Sequence, residues 1–262
     1  MTLTDGLNSK NAICLIADEA VVKLAANAAI SVLTNSHKLP ICFIGTSVAV
    51  CNQFTQLLSK YNAVIDARVV SEEEKTFLLK NIWVNPRRKD LTLGTYLRLY
   101  IPKYFCNYDH VLYLDTDVIC IKPIIELFNT LQSTNYILAA SRQNPKYHPN
   151  TITHFFNAGV MAFNVQNVLK TYQEDFAQCI TLMKENIKTQ GAISLSADQG
   201  IINCVYENRI FEISNKYNTQ DLAWRKDVID AEVQKASILH FCGRHKPWLK
   251  DGRNKKYWKW YI

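Results

Sequence analysis

Over its first hundred residues the chain alternates short, largely apolar runs with longer stretches of helical periodicity. AICLIAD (12–18), ICFIG (41–45) and AVIDARVV (63–70) read as strands, and AVVKLAANAAISVLTNS (20–36) and a segment near 49–60 as the helices between them. Runs that are apolar at every position belong to strands covered on both faces, so the pattern predicts a mainly parallel sheet with helices packed against it. Ser71 and Glu74 have capping-box spacing and predict a helix that starts there. A basic loop, NPRRKD (85–90), and a helix over about 92–104 follow, and then a fourth strand, VLYLD (111–115). Beyond residue 123, YILAA (136–140) and GVMAFN (159–164) read as further strands. Apolar positions 165, 168, 169, 172, 176, 179, 180 and 183 predict one amphipathic helix. No repeat, low-complexity tract or linker divides the chain, which reads as one α/β domain (1–248) with a short C-terminal tail (249–262).

Open α/β sheets bind ligands at the carboxyl ends of their strands, which gives weight to polar residues that close an apolar run. Asp18 follows the first strand, Asp115 and Asp117 close the fourth, and His240 ends ASILH. Asp115, Thr116 and Asp117 lie between two apolar runs, VLYL and VICI. Like charges that close repel, and burying them unpaired is costly, so something positive must sit beside them. Paired hard oxygens at the mouth of a sheet suit Mn2+ or Mg2+, although a D-x-D triplet by itself is a weak signal. There is no glycine-rich phosphate loop and no G-x-G-x-x-G after the first strand, so a bound phosphate would rely on a metal and on isolated cations such as Arg98 and Lys246. Taken singly, each residue has an ordinary structural reading. Arg98 and Lys246 could be solvated surface charges, and His240 a strand-end histidine bonded to a carboxylate. Asn157 and Gly159 could shape a turn, and Asp198 could cap a helix.

The 262 residues, 48% of them apolar, are enough to bury a substantial core. No apolar run approaches the ~20 residues that cross a bilayer. The N-terminal MTLTDGLNSKN lacks the charged and apolar blocks of a secretion signal, which predicts a cytoplasmic protein. Eight cysteines include no C-x-x-C pair and mostly lie in apolar runs, as buried, reduced thiols do. The net charge of +7 is concentrated, because residues 240–262 hold seven Lys and Arg against one Asp, interleaved with Trp248, Tyr257, Trp258, Trp260 and Tyr261. Such a tail fits a helix packing its aromatics on the body of the protein, peripheral contact with an anionic membrane surface, or both. Charge gathered in one tail, not in a stripe across the sheet, argues against nucleic-acid binding.

Four motifs in order, VLYLDTDVIC, FFNAGVMAFNV, SADQGIINCVY and LHFCGRHKPW, resemble family 8 of the retaining glycosyltransferases, which includes bacterial lipopolysaccharide galactosyl- and glucosyltransferases and, more distantly, glycogenin. The resemblance runs from about residue 12 to the terminus. It implies the GT-A fold, a single nucleotide-binding, Rossmann-like mixed sheet flanked by helices. It also implies a UDP-sugar donor and Mn2+, with galactose or glucose passing to a hydroxyl of a glycan or glycolipid of the lipopolysaccharide kind. Matched position by position, Asp115, Asp117 and His240 become the metal ligands, and Thr116 lies with them against the donor. Ala17 and Asp18 match the uracil and ribose contacts, and Arg98 an arginine that touches donor sugar or phosphate. Asn157 lines the sugar pocket, Asp198 bonds sugar hydroxyls, and Gln199 lies beneath the anomeric carbon. Gly243 and Lys246 belong to the loop that holds the diphosphate, in which His245 has no matching role. Ala20 and Val21 replace the family's asparagine or tyrosine beyond the first strand, and Gly200 replaces a second acid after the glutamine.

Gln199 stands where retention would ordinarily place a nucleophile, and an amide is a poor one. Same-face attack is therefore expected, with the departing phosphate oxygen taking the acceptor's proton. Two other readings stay open at this point: a sugar nucleotidyltransferase, which usually brings a glycine-rich N-terminal loop absent here, and a non-catalytic UDP-sugar-binding protein. Arg87 and Arg88, with the basic tail, suit an anionic glycolipid at the inner membrane face.

Overall fold

The computed structural model describes residues 10–36, 39–82, 93–143, 155–188, 197–226 and 228–262. The basic loop with Arg87 and Arg88 lies outside them. The strands are β1 (Asn11–Ala17), β2 (Ile41–Gly45), β3 (Ile65–Val69), β4 (His110–Leu114), β5 (Val118–Cys120), β6 (Leu138–Arg142), β7 (Phe156–Asn164), β8 (Ile210–Glu212) and β9 (Ile238–His240). The helices are α1 (Val22–Asn35), α2 (Val48–Leu58), α3 (Glu72–Asn81), α4 (Leu93–Tyr96), α5 (Ile101–Tyr104), α6 (Ile125–Gln132), α7 (Val165–Leu169), α8 (Tyr172–Lys188), α9 (Asp198–Val205) and α10 (Asp230–Lys235). Seven strands form one mixed sheet in the order β3-β2-β1-β4-β7-β6-β8, and β5 and β9 form a separate two-stranded ladder. The pairs β3/β2, β2/β1 and β1/β4 are parallel, whereas β7 is antiparallel to both β4 and β6.

The period of two along each strand divides the core. Ala12, Cys14 and Ile16 of β1 and Val111 and Tyr113 of β4 face one cluster, completed by residues of α8 and α9. Ile13, Leu15, Leu112 and Leu114 face the other, completed by α1, α2 and α6. Both faces are thus covered, which is why these strands are apolar at every position. The capping box forms as its spacing predicts, with Ser71 Oγ accepting from Glu74 N–H at 3.2 Å and Glu74 Oε2 accepting from Ser71 N–H at 3.1 Å. The cysteines are free thiols; five of them are buried, and Cys106 is exposed.

Three helical expectations are corrected. The helix over 92–104 is broken into α4, a 3-10 turn (Leu97–Tyr100) and α5. Pro102 lacks an N–H and its ring would meet the carbonyl four residues back, so the turn tightens and Ile101 N–H bonds the Arg98 carbonyl instead. The helix over 165–183 is two helices, with a restart where Thr171 Oγ1 bonds the Asp175 carboxylate at 2.8 Å. The tail has only a 3-10 turn at Lys255–Tyr257 and is otherwise irregular.

The tail nevertheless packs on the body. Asn27, fully buried in α1, receives Tyr261 N–H at 2.6 Å and donates to the Lys259 carbonyl at 3.0 Å. Asn35 Nδ2 and Tyr61 O–H bond the Tyr261 hydroxyl and carbonyl at 2.9 Å each. Trp258 stands edge-on to Phe241 with ring centroids 5.2 Å apart, and lies 4.7 Å from Trp248. Among the described residues, no helix is long and apolar enough to cross a membrane. Trp258 is half-buried, so Trp258→Ala is expected to lower the unfolding free energy by about 2–3 kcal/mol in a urea titration, less than loss of a fully buried aromatic. A change below roughly 0.5 kcal/mol, the size of an ordinary surface substitution, would mean the tail is detached in solution.

Candidate active site

The polypeptide turns at Asp115, Thr116 and Asp117 between β4 and β5, at the carboxyl edge of the parallel strands. Cys14 is opposite Tyr113 in the parallel register of β1 and β4, so Ala17 and Asp18 come to the same edge. Antiparallel pairing of β5 with β9 sets Val118 opposite His240, and Phe241 N–H donates to the Asp117 carbonyl at 2.9 Å. On the other side Asp115 N–H bonds the Gly159 carbonyl of β7 at 2.7 Å. Three ladders therefore converge on one turn.

Each carboxylate divides its oxygens. Asp115 Oδ1 accepts from Tyr113 O–H at 2.6 Å and from Arg98 Nη2 at 3.1 Å, while its Oδ2 lies 3.7 Å from His240 Nε2. Asp117 Oδ2 is bonded by the Lys246 ammonium, while its Oδ1 lies 3.3 Å from the same His240 nitrogen. His240 is buried; its Nδ1 is bonded to Asn218 Oδ1 at 2.9 Å, and its Nε2 makes no directed hydrogen bond among the described residues. One donor atom each from Asp115, Asp117 and His240 lies within 4.8 Å of the others. Two hard oxygens and an imidazole nitrogen left without a bonded partner fit a divalent cation.

Electrostatics follow from this packing. Burial alone would raise the Asp117 carboxyl, but Lys246 and His240 outweigh it and hold that group well below the ordinary carboxylate range. Burial opposes the charge on His240, and Asp117 and Asp115 overcome it and raise its affinity for a proton. Arg98 is buried with its guanidinium 4.4 Å from the Tyr113 ring centre, and Asp198 leads the groups that keep it charged against desolvation. Asp198 Oδ2 lies 3.0 Å from Arg98 Nε but off its N–H direction, since that N–H is spent on the Thr95 carbonyl. Without a directed partner on that oxygen, burial dominates, and the Asp198 carboxyl is pushed up to about 6.

Two glycines make the approach possible. A Cβ on Gly159 would overlap the His240 ring and come within 2.6 Å of Asp115 Oδ2. Gly243 has φ +119° and faces Trp224, so a side chain there would be both strained and obstructed. Beyond Gly243 the loop returns Lys246, whose Nζ also donates to the Phe241 carbonyl at 3.0 Å.

The structure gathers most of the residues singled out by the sequence: Asp115, Asp117, His240, Lys246, Arg98 and Asp198 form one connected charge cluster. Asn157 and Gly159 lie within β7, not in a turn, and Asp198 occupies the first turn of α9, whose N-cap is Ala197. Gln199 Oε1 accepts from Asn157 Nδ2 at 3.2 Å and Ala158 N–H at 3.1 Å. Asp18 Oδ1 accepts from the N–H groups of Ala20 and Val21 at 3.0 and 3.2 Å, closing the turn into α1. Thr116 is half-buried between the two acids, and His245 is turned outward to Asp251 at 2.9 Å. Sequence reasoning missed Tyr113, Gln143 and Asn218. Only Tyr113 carried a signal, since it lies two residues before Asp115 on the same face of a strand.

A family model described as glycosyl transferase family 8 matches residues 12–252. The chain belongs to that family. Its relatives include a lipopolysaccharide 1,3-galactosyltransferase of Salmonella typhimurium, 29% identical over 64% of this chain and 52% of that protein. A putative glycosyltransferase of Haemophilus influenzae is 29% identical over 61% of this chain and 50% of that protein. The chain spans about half the length of these curated relatives. Among solved structures, the galactosyltransferase LgtC, crystallised with donor and acceptor sugar analogues, superimposes with a TM-score of 0.70 at 20% identity, over 92% of this chain and 90% of that one. GlyE of Streptococcus pneumoniae gives 0.63 at 22%, over 93% and 57%. The family 8 chain thus has the GT-A fold of these neighbours.

The Asp198 carboxyl supplies a test of this electrostatic picture. Its folded-state affinity for a proton exceeds the ordinary value, so its stabilising contribution is complete below the usual carboxylate range and is lost as pH rises through about 6. In chelator-treated protein, wild type should therefore lose on the order of 2–3 kcal/mol relative to Asp198→Asn between pH 4 and 7 in urea titrations. A difference that stays flat with pH would contradict the burial argument.

Proposed function

We propose that this family 8 glycosyltransferase moves a hexose, galactose or glucose, from a UDP-sugar to an acceptor hydroxyl with retention at the anomeric carbon. The observation that carries the reading is the convergence of Asp115, Asp117 and His240 on one point, with Lys246 and Arg98 bonded to the two acids. Mn2+ is the ion we assign there, with Mg2+ the alternative of similar hardness. A cation held by these three side chains would supply Lewis-acid stabilisation of the charge that builds on the leaving diphosphate.

The protein's own groups do the rest. Lys246, fixed by the Gly243 turn, contributes a second positive charge at the same edge, and such preorganised stabilisation is commonly the largest catalytic term. Arg98 holds Asp115 on one side and neighbours Asp198 on the other, and we assign Asp198 to the sugar hydroxyls. Ala17, Asp18 and Thr116, at the same edge, are assigned to the nucleotide.

The oxygen of Gln199 already accepts two hydrogen bonds, from Asn157 and Ala158, and an oxygen so engaged is a still poorer nucleophile. We therefore favour same-face attack. The acceptor oxygen bonds to the anomeric carbon as the bond to the phosphate oxygen breaks, and that departing oxygen takes the acceptor's proton. The acceptor we assign is a glycan or glycolipid of the lipopolysaccharide kind, in keeping with the lipopolysaccharide galactosyltransferase of Salmonella. Leu249, Trp260 and Ile262 are exposed among the tail lysines, which favours peripheral contact with the cytoplasmic face of a membrane.

A screen of sugar nucleotides with Mn2+, reading UDP release, tests this. Turnover of UDP-galactose or UDP-glucose is expected, and Asp117→Ala should reduce it on the order of 100-fold or more. Absence of turnover with every UDP-hexose, or near wild-type turnover by Asp117→Ala, would overturn the reading. A hexose trapped on Asp198 in rapid-quench mass spectrometry would overturn same-face attack.

A further inference from the structure

Three side-chain amides, Asn218, Asn157 and Gln143, connect the candidate metal histidine to Gln199. His240 Nδ1 meets Asn218 Oδ1 at 2.9 Å; Asn218 Nδ2 donates to Asn157 Oδ1 at 2.9 Å. Asn157 Nδ2 in turn donates to Gln143 Oε1 at 2.7 Å and to Gln199 Oε1 at 3.2 Å. His240, Asn218, Asn157 and Gln143 are each less than a tenth exposed.

The polarity of this chain is not arbitrary. An amide can be turned end for end unless a partner of fixed character decides it, and a backbone N–H can only donate. Gly159 N–H donates to Asn157 at 3.0 Å, and Ala158 N–H to Gln199 at 3.1 Å. The first identifies the Asn157 oxygen, and therefore the Asn218 nitrogen that must donate to it. The Asn218 oxygen is left facing His240 Nδ1, and an oxygen there requires Nδ1 to carry the proton. Nε2 is then the nitrogen with the ligating lone pair, and it is the one that faces Asp115 and Asp117. Two backbone N–H groups of β7 thereby set the tautomer of a ring on β9.

We propose that Asn218 is a positioning residue that locks His240 in its metal-ligating tautomer and, through Asn157, ties that ring to Gln199. The inference rests on the metal reading of Asp115, Asp117 and His240 given above. It means that an asparagine touching neither ion nor donor governs metal affinity, and that Asn157 acts on the sugar pocket through Gln199 as well as directly.

The test uses the full chain and Mn2+ alone as probe, with free ion counted by electron paramagnetic resonance, for wild type, Asn218→Leu and Asn218→Asp. Asn218→Leu removes the acceptor for Nδ1 and should weaken Mn2+ binding by about 10- to 100-fold, the usual effect of losing a histidine's outer partner. Asn218→Asp keeps that acceptor and should bind Mn2+ at least as tightly as wild type. Because its carboxylate cannot donate to Asn157, its UDP-sugar turnover at saturating Mn2+ should fall about tenfold, the lower end of the loss expected for an outer partner. Wild-type affinity in a folded Asn218→Leu protein, checked by near-ultraviolet circular dichroism, would overturn the proposal and leave the metal reading standing. If Asn218→Leu does not fold, Asn218→Asp decides, and a tenfold loss of Mn2+ affinity in it would be the contrary result. Failure of wild type itself to bind Mn2+ would overturn the metal reading and the positioning role together.

Discussion

Two aspartates one residue apart at the mouth of a sheet repel each other, and the protein satisfies them by dividing the work between their oxygens. One oxygen of each is given to a protein cation, Arg98 for Asp115 and Lys246 for Asp117, and the other is turned to a shared histidine nitrogen. Removing either cation would leave a partly buried carboxylate uncompensated beside a second one, so Arg98 and Lys246 support the folded site as well as its chemistry. They come from segments distant in sequence, which is why the site exists only in the assembled sheet. The same arrangement leaves a point bordered by two free carboxylate oxygens and one imidazole nitrogen, the kind of place where a hard divalent cation is at home.

Close approach is the second constraint. The histidine can reach the aspartates only because β7 carries glycine at position 159, and the lysine loop can return only because Gly243 has a conformation that other residues rarely adopt. The end of the chain also takes part. Trp258 bridges Phe241 and Trp248, which flank the Lys246 loop, and Tyr261 is fastened to α1 and to Tyr61. The basic aromatic tail is thus a brace for the lysine loop, and its exposed tryptophan and lysines remain available to an anionic surface.

The central strands β1, β2 and β4 were legible because burial on both faces leaves an uninterrupted apolar record, and the α3 start because a capping box is a local pattern, whereas the short, half-exposed β8 left no such record. Helix continuity was less legible. Pro102 and Thr171 each break a periodicity that apolar spacing alone carries straight through. The tail reads as a helix by composition, yet tertiary partners such as Asn27 determine its path. In the site, the charged residues and His240 stood out because they end apolar runs or recur in the four motifs. Gln143 and Asn218 did not, because a buried amide acquires its meaning from partners far away in sequence. Asn218 lies 22 residues before the histidine it bonds, within no pattern of spacing that a strand or helix would produce.

The central claim is that Asp115, Asp117 and His240 hold a divalent cation where a nucleotide diphosphate leaves. Anomalous diffraction at the manganese absorption edge, from crystals soaked in Mn2+ and UDP, addresses it most directly. The account predicts one strong peak within coordination distance of one oxygen from each aspartate and of His240 Nε2, adjoining the diphosphate density. Ordered UDP with no peak there, or with His240 Nδ1 turned toward the ion, would contradict it.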